Sequence, residues 1–409
     1  MTVRDDGSSR FSKENRWGIF PSAAFAWKLK EESFLKNVNV ISDLKLRLGW
    51  GGSGQQDIGS YYPYQAQYAT SSDGSYYQIE GDYSPTLRPN PYDPNIKWEE
   101  TTTKNLGLDF GLFNDRITGS LELYNRKTKD LLNQVTIPTG SNFSNTLYTN
   151  VGSLENNGVE VSLNLVPLSQ KDMSLNLGFN LTYNKNKVTK LLMSDDPKFL
   201  GVLYGDGMTG QKQVTRVGYP AYSFFVNQQV YYTNGYPIEG LYVDLSGKGG
   251  NVNGDNADKY IFHNPAPDYT LGFSARFNYK NFDISASSRA NIGNYVYNQV
   301  AAGASYDQMF QLNYWKNFTK LLSDTKFVKR QFTSDYFVEN ASFFKIDNIS
   351  AGYKFSNIYQ KFDVRVSLTV QNVLTVTNYS GLDPEVSGGI DNNFYPRPRT
   401  YIVGLSVNF

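Results

Sequence analysis

The sequence predicts an all-β protein whose antiparallel strands form a barrel across a membrane. Alternation of apolar and polar residues recurs along the chain of 409 residues, in stretches that suit membrane strands of about 9 to 11 residues. Aromatic residues make up 15% of the chain and gather where these stretches end, as interfacial belts require. Short turns alternate with long polar segments, as in barrels with tight turns at one end and extended loops at the other. A soluble sandwich, with loops of mixed length at both ends, is the alternative.

Taken in order, the alternating stretches predict about thirteen strands. The clearest, at 44–50, 106–112, 117–123, 159–165, 175–183, 271–279, 282–286, 349–355, 362–370 and 401–409, pair as hairpins where a short turn joins them. Weaker candidates are 17–29, 146–151, 211–217 and 222–232. The last stretch, from Tyr401 to Phe409, puts apolar residues at every odd position. It suits the closing strand of a barrel, although these residues alone also suit an edge strand of a sandwich.

The connections predict the orientation. Short turns are expected at Asn114, Pro167–Lys171, Gly218–Pro220, Lys280 and Asn357. Long Gly-, Asn- and Tyr-rich segments lie at 51–97, 187–209, 233–267, 295–341 and 375–399. If the last strand runs down to the periplasm, the short turns lie there and the long segments lie outside the cell.

Composition excludes several classes of function. A formal charge of +1 offers nucleic acid no electrostatic attraction. The chain has no Cys and a single His, His263, so disulfides, thiolate metal sites and sites with several histidines are excluded. We therefore predict no catalytic residues, no metal and no cofactor, with a carboxylate pair for glycoside cleavage as the remaining alternative.

The first ten residues do not resemble a secretion signal, since a basic start followed by an apolar stretch is missing. No run of about 18 apolar residues predicts a membrane-spanning helix. The chain is therefore expected either to be cytosolic or to begin partway through a longer secreted protein.

Several motifs in order along the chain resemble the SusC/RagA family of TonB-dependent outer-membrane transporters. They are Arg4–Phe11, Asn15–Ser22, Trp98–Thr101, Val151–Glu160, Pro267–Phe273, Tyr279–Ile284, Ala341–Ser350, Gln371–Leu374, Thr377–Glu385 and Tyr395–Tyr401. Members of the family have a signal peptide, a TonB-contacting segment, a plug and a barrel of about 22 strands. The resemblance implies that 1–409 is the carboxy-terminal part of such a barrel, with the plug absent. We accordingly expect an open sheet whose first and last strands are apart, with a small barrel closed by irregular pairing between these strands as the alternative.

The resemblance also implies a function. The chain is expected to be the barrel part of a nutrient importer in the outer membrane of a Gram-negative bacterium. It would take up oligosaccharides or peptides with a SusD-like surface lipoprotein, driven by the TonB complex through the plug that this chain does not contain. The alternative is a passive or structural outer-membrane barrel fragment, or a secreted carbohydrate-binding β-protein.

Two groups of charged residues are candidate sites. The inward carboxylates Asp109, Glu122, Glu160, Asp283 and Asp363 share faces with Lys45, Arg47, Arg276 and Arg365. Such a mixed-charge face is most simply a hydrated lumen wall. Segment 244–258, where the family often has a calcium-like turn, offers oxygens from Asn251, Asn253, Asp255 and Asp258. Because Asn256 replaces the glycine and no Glu follows at the twelfth place, we predict a plain polar turn.

The tyrosines of segment 51–97 are the candidate ligand-binding residues. We predict this role for Tyr61, Tyr62, Tyr64, Tyr76 and Tyr77. Tyrosine supplies rigid, partly polar contact area suited to stacking on sugars or peptides and to docking a partner protein. The alternative is that these rings only pack the segment against its neighbours.

Overall fold

The computed structural model describes residues 1–57, 61–70, 76–136, 146–191, 199–206, 210–249, 252, 256–311, 320–358, 362–392 and 395–408. Twelve strands form one antiparallel sheet in which each strand pairs with the next one along the chain. They are β1 Thr2–Gly7, β2 Trp17–Lys28, β3 Ile41–Gln55, β4 Glu99–Leu112, β5 Ile117–Lys129, β6 Ser153–Gln170, β7 Met173–Lys190, β8 Tyr269–Tyr279, β9 Phe282–Ile292, β10 Phe343–Ile358, β11 Phe362–Thr377 and β12 Thr400–Asn408. Within the described residues, no helix is long and apolar enough to cross a membrane.

The remaining elements lie in the long connections. Short strands pair as Tyr68–Thr70 with Leu87–Pro89, Tyr76–Ile79 with Asp82–Pro85, Leu132–Thr136 with Thr146–Asn150, and Gln229–Tyr231 with Pro237–Tyr242. Two further small sheets comprise Val202–Asp206, Gly210–Thr215, Ser223–Asn227 and Lys259–Ile261, and Val338–Asn340, Tyr295–Asn298 and Ile390–Asp391. The α-helices are Gln299–Ala302, Tyr306–Gln311 and Lys320–Thr325, and the 3₁₀ helices are Leu29–Glu31, Asn256–Asp258, Asp335–Phe337 and Ser387–Gly389.

The register of the large sheet separates an apolar face from a polar face. Across β3 to β8, one row of paired positions on the apolar face consists of Leu48, Leu106, Leu123, Val159, Tyr183 and Tyr269. The adjacent row on the polar face contains Gly49, Asn105, Tyr124, Gly158 and Asn184. Because successive side chains of a strand point to opposite sides, every strand contributes to both faces.

The apolar face is exposed in this structure. Leu405 on β12 is 70% exposed and Phe25 on β2 is 55% exposed. Aromatic residues lie near both ends of this face, with Tyr279, Phe282 and Phe355 at one end and Trp17, Tyr269 and Tyr401 at the other. An apolar face between two aromatic belts is typical of a strand surface that contacts lipid.

The connections alternate in length, as the sequence predicts. At the short-turn end the connections are 29–40, 113–116, 171–172, 280–281 and 359–361. The long-segment end carries 8–16, 56–98, 130–152, 191–268, 293–342 and 378–399. The predicted turns at Asn114 and Lys280 are confirmed. Asn357, where another was predicted, lies inside β10 instead, and the residues that follow it, 359–361, lie outside the described part of the chain.

Two more of the predicted turns differ from their expected places. The turn at Gly218–Pro220 forms, between Gly210–Thr215 and Ser223–Asn227, but it does not join strands of the large sheet. Gly218–Pro220 lies inside connection 191–268, at the long-segment end, because the strands beside it belong to a small separate sheet. The turn expected at Pro167–Lys171 is a two-residue turn at 171–172. Pro167 instead occupies an irregularity between Leu165 and Leu168, where the ladder tolerates a residue without an N–H.

The number of strands in the sheet is twelve, slightly below the prediction. The expected strands at 146–151, 211–217 and 222–232 do form, as Thr146–Asn150, Gly210–Thr215 and Ser223–Asn227, but they pair outside the large sheet. The first strand, β1, pairs with β2 over six residues.

The large sheet is open. Its strand order begins with β1 and ends with β12, and no ladder between these two occurs in the described part of the chain. The expectation that the first and last strands lie apart is therefore confirmed.

We expect an outward cation to destabilise the sheet far more than an inward one. In the protein as assembled in the membrane, Leu121→Arg should cost about 2 to 4 kcal/mol, because Leu121 lies midway along the apolar face. The adjacent Ser120→Arg should cost less than about 1 kcal/mol, since Ser120 lies on the polar face beside Asp109. Urea unfolding in lipid vesicles measures both, and equal costs would contradict the assignment of the two faces.

Candidate functional site on the polar face and in the long segments

The polar face carries its charges as ion pairs between neighbouring strands. Asp109 on β4 accepts hydrogen bonds from Arg47 on β3 at 2.9 to 3.1 Å and lies 2.7 Å from Nζ of Lys45. Arg47 also lies 3.6 Å from Glu122 on β5, whose Oε1 accepts a hydrogen bond from Asn105 at 2.7 Å. One guanidinium therefore joins carboxylates on two strands.

A second pair joins the later strands. Arg365 on β11 donates two hydrogen bonds, of 2.9 and 2.7 Å, to Asp283 on β9 across the intervening β10. Glycine makes room for both arginines. A β-carbon at Gly107 would lie 2.8 Å from Nη2 of Arg47, and one at Gly352 would collide with the Arg365 guanidinium.

Most of the charged residues predicted for this face are paired. Asp363 lies 2.7 Å from Lys354, a partner that the sequence analysis did not identify. Glu160 and Arg276 form no ion pair with described residues. Arg276 instead lines a groove of about 460 Å³ together with Asn176, Ser274 and Asn348. The face is therefore a hydrated surface with few unpaired charges.

Another groove of about 620 Å³ lies nearer the short-turn end of this face. It is lined by Lys45, Asp109, Asp43, Asp115 and several hydroxyl side chains. Both grooves are lined by amide, hydroxyl and charged side chains, which can form hydrogen bonds to polar solutes.

The segments 191–268, 293–342 and 378–399 share a hydrophobic core, and we call their assembly the cap. Its buried centre consists of Phe224, Val226, Tyr297, Ala301, Ala302, Phe327, Phe337 and Val338, with Ile390 packed against it. Tyr242 is also buried, donating to Oε1 of Gln331 at 2.6 Å, and burial raises its pKa to about 12. The cap thus has the dry interior that the two-faced sheet lacks.

Carboxylates tie the segments of the cap together. Glu339 accepts hydrogen bonds from Asn298 and from the backbone and hydroxyl of Ser380 at 2.8 to 2.9 Å. Asp391 accepts one from Tyr379 at 2.7 Å, and Asp335 accepts one from Tyr260 at 2.6 Å. The bonds of Glu339 to Ser380 and of Asp335 to Tyr260 join different segments of the cap, whereas the Tyr379–Asp391 bond lies within 378–399.

The only histidine of the chain, His263, belongs to this packing. Its ring stacks on Tyr295 with the centroids 3.6 Å apart, and burial lowers its pKa below the ordinary value. The ring is consequently neutral at pH 7 and acts as a flat packing group.

A charged cluster joins the cap to the sheet, and we call it the rim cluster. It consists of Arg289, Lys345, Asp347, Asp383, Glu385 and Arg397. Glu385 is held by both terminal nitrogens of Arg289, by Lys345 at 3.2 Å and by Arg397 at 2.8 Å. Lys345 is only 6% exposed and donates to Asp383 at 2.7 Å.

The two carboxylates that connection 378–399 contributes, Asp383 and Glu385, both have a lowered pKa. Burial by itself raises the pKa of Asp383, but hydrogen bonds from Lys345 and from the Glu385 backbone, with the charge of Arg397, hold it below its ordinary value. Burial likewise opposes ionisation of Glu385, and Arg289 and Lys345 bring its pKa below the ordinary value. In the sequence, Asp383 and Glu385 are recognisable only as part of the family motif Thr377–Glu385. Their partners lie on other strands, so no local pattern identified the cluster.

The five predicted tyrosines have different surroundings. Tyr64 packs against a buried cluster of Phe11, Phe20, Ile96 and Trp98, and its ring meets that of Tyr62 edge-on at 6.4 Å. The guanidinium of Arg10 lies 5.2 Å from the ring of Tyr61.

Tyr76 and Tyr77 are exposed on opposite faces of the hairpin Tyr76–Pro85. Their rings are therefore presented to solvent, unlike that of Tyr64. Whether any of the five contacts a ligand stays a prediction.

The predicted polar turn at 244–258 is described in part. Asn251, Asn253 and Asp255 lie outside the described residues. The carboxylate of Asp244 accepts hydrogen bonds from the backbone of Gly247 and Gly249 at 2.7 Å, and these bonds, that from Gly249 above all, lower its pKa. Asp258 accepts one from the Ser246 backbone at 2.9 Å. Backbone N–H groups thus hold the described carboxylates of this turn, Asp244 and Asp258.

Comparisons with known proteins agree with this architecture. Residues 2–294 match the family model described as TonB dependent receptor-like, beta-barrel. The chain is 47% identical to the TonB-dependent receptor SusC of Bacteroides thetaiotaomicron and 33% identical to the TonB-dependent receptor P3 of Formosa agariphila, in both cases over its full length. The solved structure of the RagAB peptide transporter superposes on 98% of the chain with a TM-score of 0.79 at 28% identity.

The chain is shorter than these relatives. It spans 42% of SusC, 44% of receptor P3 and 45% of the matched chain of the RagAB structure.

We expect the rim cluster to attach connection 378–399 to the sheet in a pH-dependent way. Because the pKa values of Asp383 and Glu385 are lowered by folding, their stabilising contribution is complete above the unfolded values of about 4 and is lost as the pH falls through the lower folded values. Hydrogen-exchange protection factors of residues 378–392 should therefore fall more than about tenfold below pH 4.

The matched control is the double variant Asp383→Asn with Glu385→Gln. It should be poorly protected at neutral pH already and should change little on acidification. Identical protection in both proteins at every pH would show that the cluster does not hold this connection.

Proposed function

The chain belongs to the TonB-dependent receptor β-barrel family, within its SusC/RagA group, and on this premise we propose that it forms part of the barrel of an outer-membrane nutrient importer. The polar face lines the aqueous interior, and the apolar face contacts lipid in the outer membrane of a Gram-negative bacterium. Residues 1–409 act as one structural unit of this barrel.

The observation that carries the proposal is the division of the sheet into two faces. Charged side chains lie on one face of several strands and form ion pairs, such as Arg47 with Asp109 and Arg365 with Asp283. Glycines beside these arginines leave room for their side chains. An interior of this kind allows water to fill the lumen of the barrel, and its positive and negative charges neutralise one another. Polar solutes that are too large for porins can move along this lining without encountering a strong unpaired charge.

The edges of the sheet define what the rest of the barrel must supply. The outer sides of β1 and β12 have no strand neighbour in the described part of the chain, and each unpaired backbone group costs several kcal/mol in lipid. We propose that further strands of a longer polypeptide close this barrel and that a plug within it couples transport to the TonB complex.

We propose that the cap is the part of the chain that contacts a partner protein. It forms a folded, hydrogen-bonded unit at the long-segment end, where a SusD-like lipoprotein would deliver cargo. The solved RagAB relative is described as a peptide transporter. For this chain we propose oligosaccharides or peptides as cargo, with transport and no covalent step.

Loss-of-function genetics tests the proposal. Deleting the gene in its own bacterium should abolish growth on one class of nutrient, an oligosaccharide or a peptide mixture, and the intact gene should restore it. A protonophore should stop uptake of the labelled nutrient, and the lipoprotein should co-purify with the transporter. Uptake that continues without a proton gradient would instead support a passive barrel.

We also expect the predicted tyrosines to divide by role. Tyr76→Ala with Tyr77→Ala should weaken cargo or lipoprotein binding about tenfold at unchanged thermal stability, because both rings are exposed. Tyr64→Ala should lower stability by about 1 to 3 kcal/mol, because its ring packs on a buried cluster. Isothermal titration and thermal unfolding measure the two effects. Unchanged binding in the double variant would remove Tyr76 and Tyr77 from the site.

A further inference from the structure

The apolar face ends, toward the long segments, in a group of lysines. On β4, β5 and β7 the last apolar positions are Leu106, Leu123 and Tyr183, which lie in one row. The lysines occupy the positions on the same face beyond that row, and we call them the lysine arc. They are Lys104, Lys127, Lys129, Lys185 and Lys187.

The register assigns these lysines to the lipid-facing side and not to the interior. Lys104, Asn125, Asn157 and Lys185 pair in sequence across β4 to β7, one step beyond the apolar row. Hydrogen bonds confirm that this row shares a face, since Asn125 donates to Asn157 at 2.6 Å and to Glu155 at 2.7 Å. The polar-face residues at this level form a separate set, with Asn186 donating to Asn156 at 2.8 Å.

All five lysines are exposed, and most lack a counter-ion. Lys127 lies 3.7 Å from Glu155. For the other four, the described part of the chain supplies no ion pair, and Glu100 lies opposite Lys129 in register without forming one. The arc thus holds five cations and two carboxylates, which leaves a net charge of about +3. On the polar face, by contrast, Lys45, Arg47 and Arg365 are all paired.

The arc is confined to one side of the sheet. Register gives no lysine or arginine on the apolar face of the other strands, as far as the chain is described. Arg276, Arg289, Lys345, Lys354 and Arg365 all fall on the polar face of their strands. A general need for solubility would scatter cations around the rim, whereas in this sheet the cations of the apolar face lie on β4, β5 and β7, within a group of four adjacent strands.

We infer that the lysine arc binds the phosphorylated glycolipid head groups of the outer leaflet. The location rests on the proposed function, which puts the long-segment end at the outer surface of the membrane. A lysine just beyond an apolar band lies with its stem along the lipid tails and its ammonium group among the head groups. There it meets phosphates, the anions that would complete the missing ion pairs. Each lysine near such a surface contributes about 1 kcal/mol.

Binding of purified lipid A to the transporter, extracted in mild detergent as it is assembled in the membrane, tests the inference. The variant replaces Lys129, Lys185 and Lys187 by glutamine, which keeps the length of the stems and removes three charges. Its dissociation constant for bisphosphorylated lipid A should rise about 100-fold, because three contributions of about 1 kcal/mol add up to about 3 kcal/mol. Titration followed by native mass spectrometry counts the bound lipids.

The matched control replaces Lys36, Lys171 and Lys280, three exposed lysines at the short-turn end, by glutamine. Its affinity should stay within about threefold of the parent, since it loses the same charge at the opposite end. Dephosphorylated lipid A should bind the parent at least about tenfold more weakly than the bisphosphorylated form.

Equal affinities of the two triple variants for lipid A would overturn the inference. So would equal binding of the dephosphorylated lipid, or inorganic phosphate binding as tightly as lipid A, which would make the arc an ion site. If the variant fails to fold, the parent is titrated with lipid A at rising salt, where screening should weaken its contacts to phosphate. An affinity that does not change with salt would overturn the inference as well. None of these readouts uses nutrient uptake, so the inference and the proposed function can fail separately.

Discussion

The structure depends on the need to pair every backbone N–H and C=O group in a layer that contains no water. Antiparallel strands meet this need for all twelve members of the large sheet except along its two outer edges. Because a strand presents successive side chains to opposite sides, the same ladder forces every strand to supply one residue to lipid for each residue it supplies to the interior. The alternation of Leu44, Leu46 and Leu48 with Lys45 and Arg47 follows from that geometry.

A sheet of this kind has no hydrophobic core of its own, so its polar face and the cap are stabilised in different ways. On the polar face, charges neutralise one another across strands, and glycine at 107 and 352 leaves space for the arginine side chains. The buried apolar core lies in the cap, where segments from three separate connections pack around Phe224, Tyr297 and Phe337. The long segments of the cap are thereby stabilised as a globular protein is, independently of lipid.

The rim cluster connects the sheet, which has no hydrophobic core, to the cap, which has one. Its anions Asp383 and Glu385 come from connection 378–399, while Arg289 comes from β9 and Lys345 and Asp347 come from β10. A carboxylate held by several cations is stabilised only in one arrangement, so the cluster defines the position of the cap on the sheet. The lysine arc is its counterpart on the opposite face of the sheet, where four of the five lysines form no ion pair with described residues.

The sequence by itself determined the fold class, the faces of the strands and the alternation of short and long connections. Period-two patterning is a local property, and a shift by one residue would exchange lipid-facing and interior side chains along a whole strand. Hence Leu121 and Ser120 could be assigned to faces, and the ion pairs of Asp109 and Asp283 anticipated, without a structure.

Only the tertiary structure decided which strands join the large sheet and which residues form the cap and the rim cluster. Gly210–Thr215 and Ser223–Asn227 are extended and buried, yet they pair in a separate sheet with partners from the same long connection. Glu385 meets Arg289 across 96 residues, and Tyr64 is separated from Tyr76 and Tyr77 by packing on Phe11 and Trp98. Such contacts depend on where distant segments fold together, and no local pattern of residues encodes that.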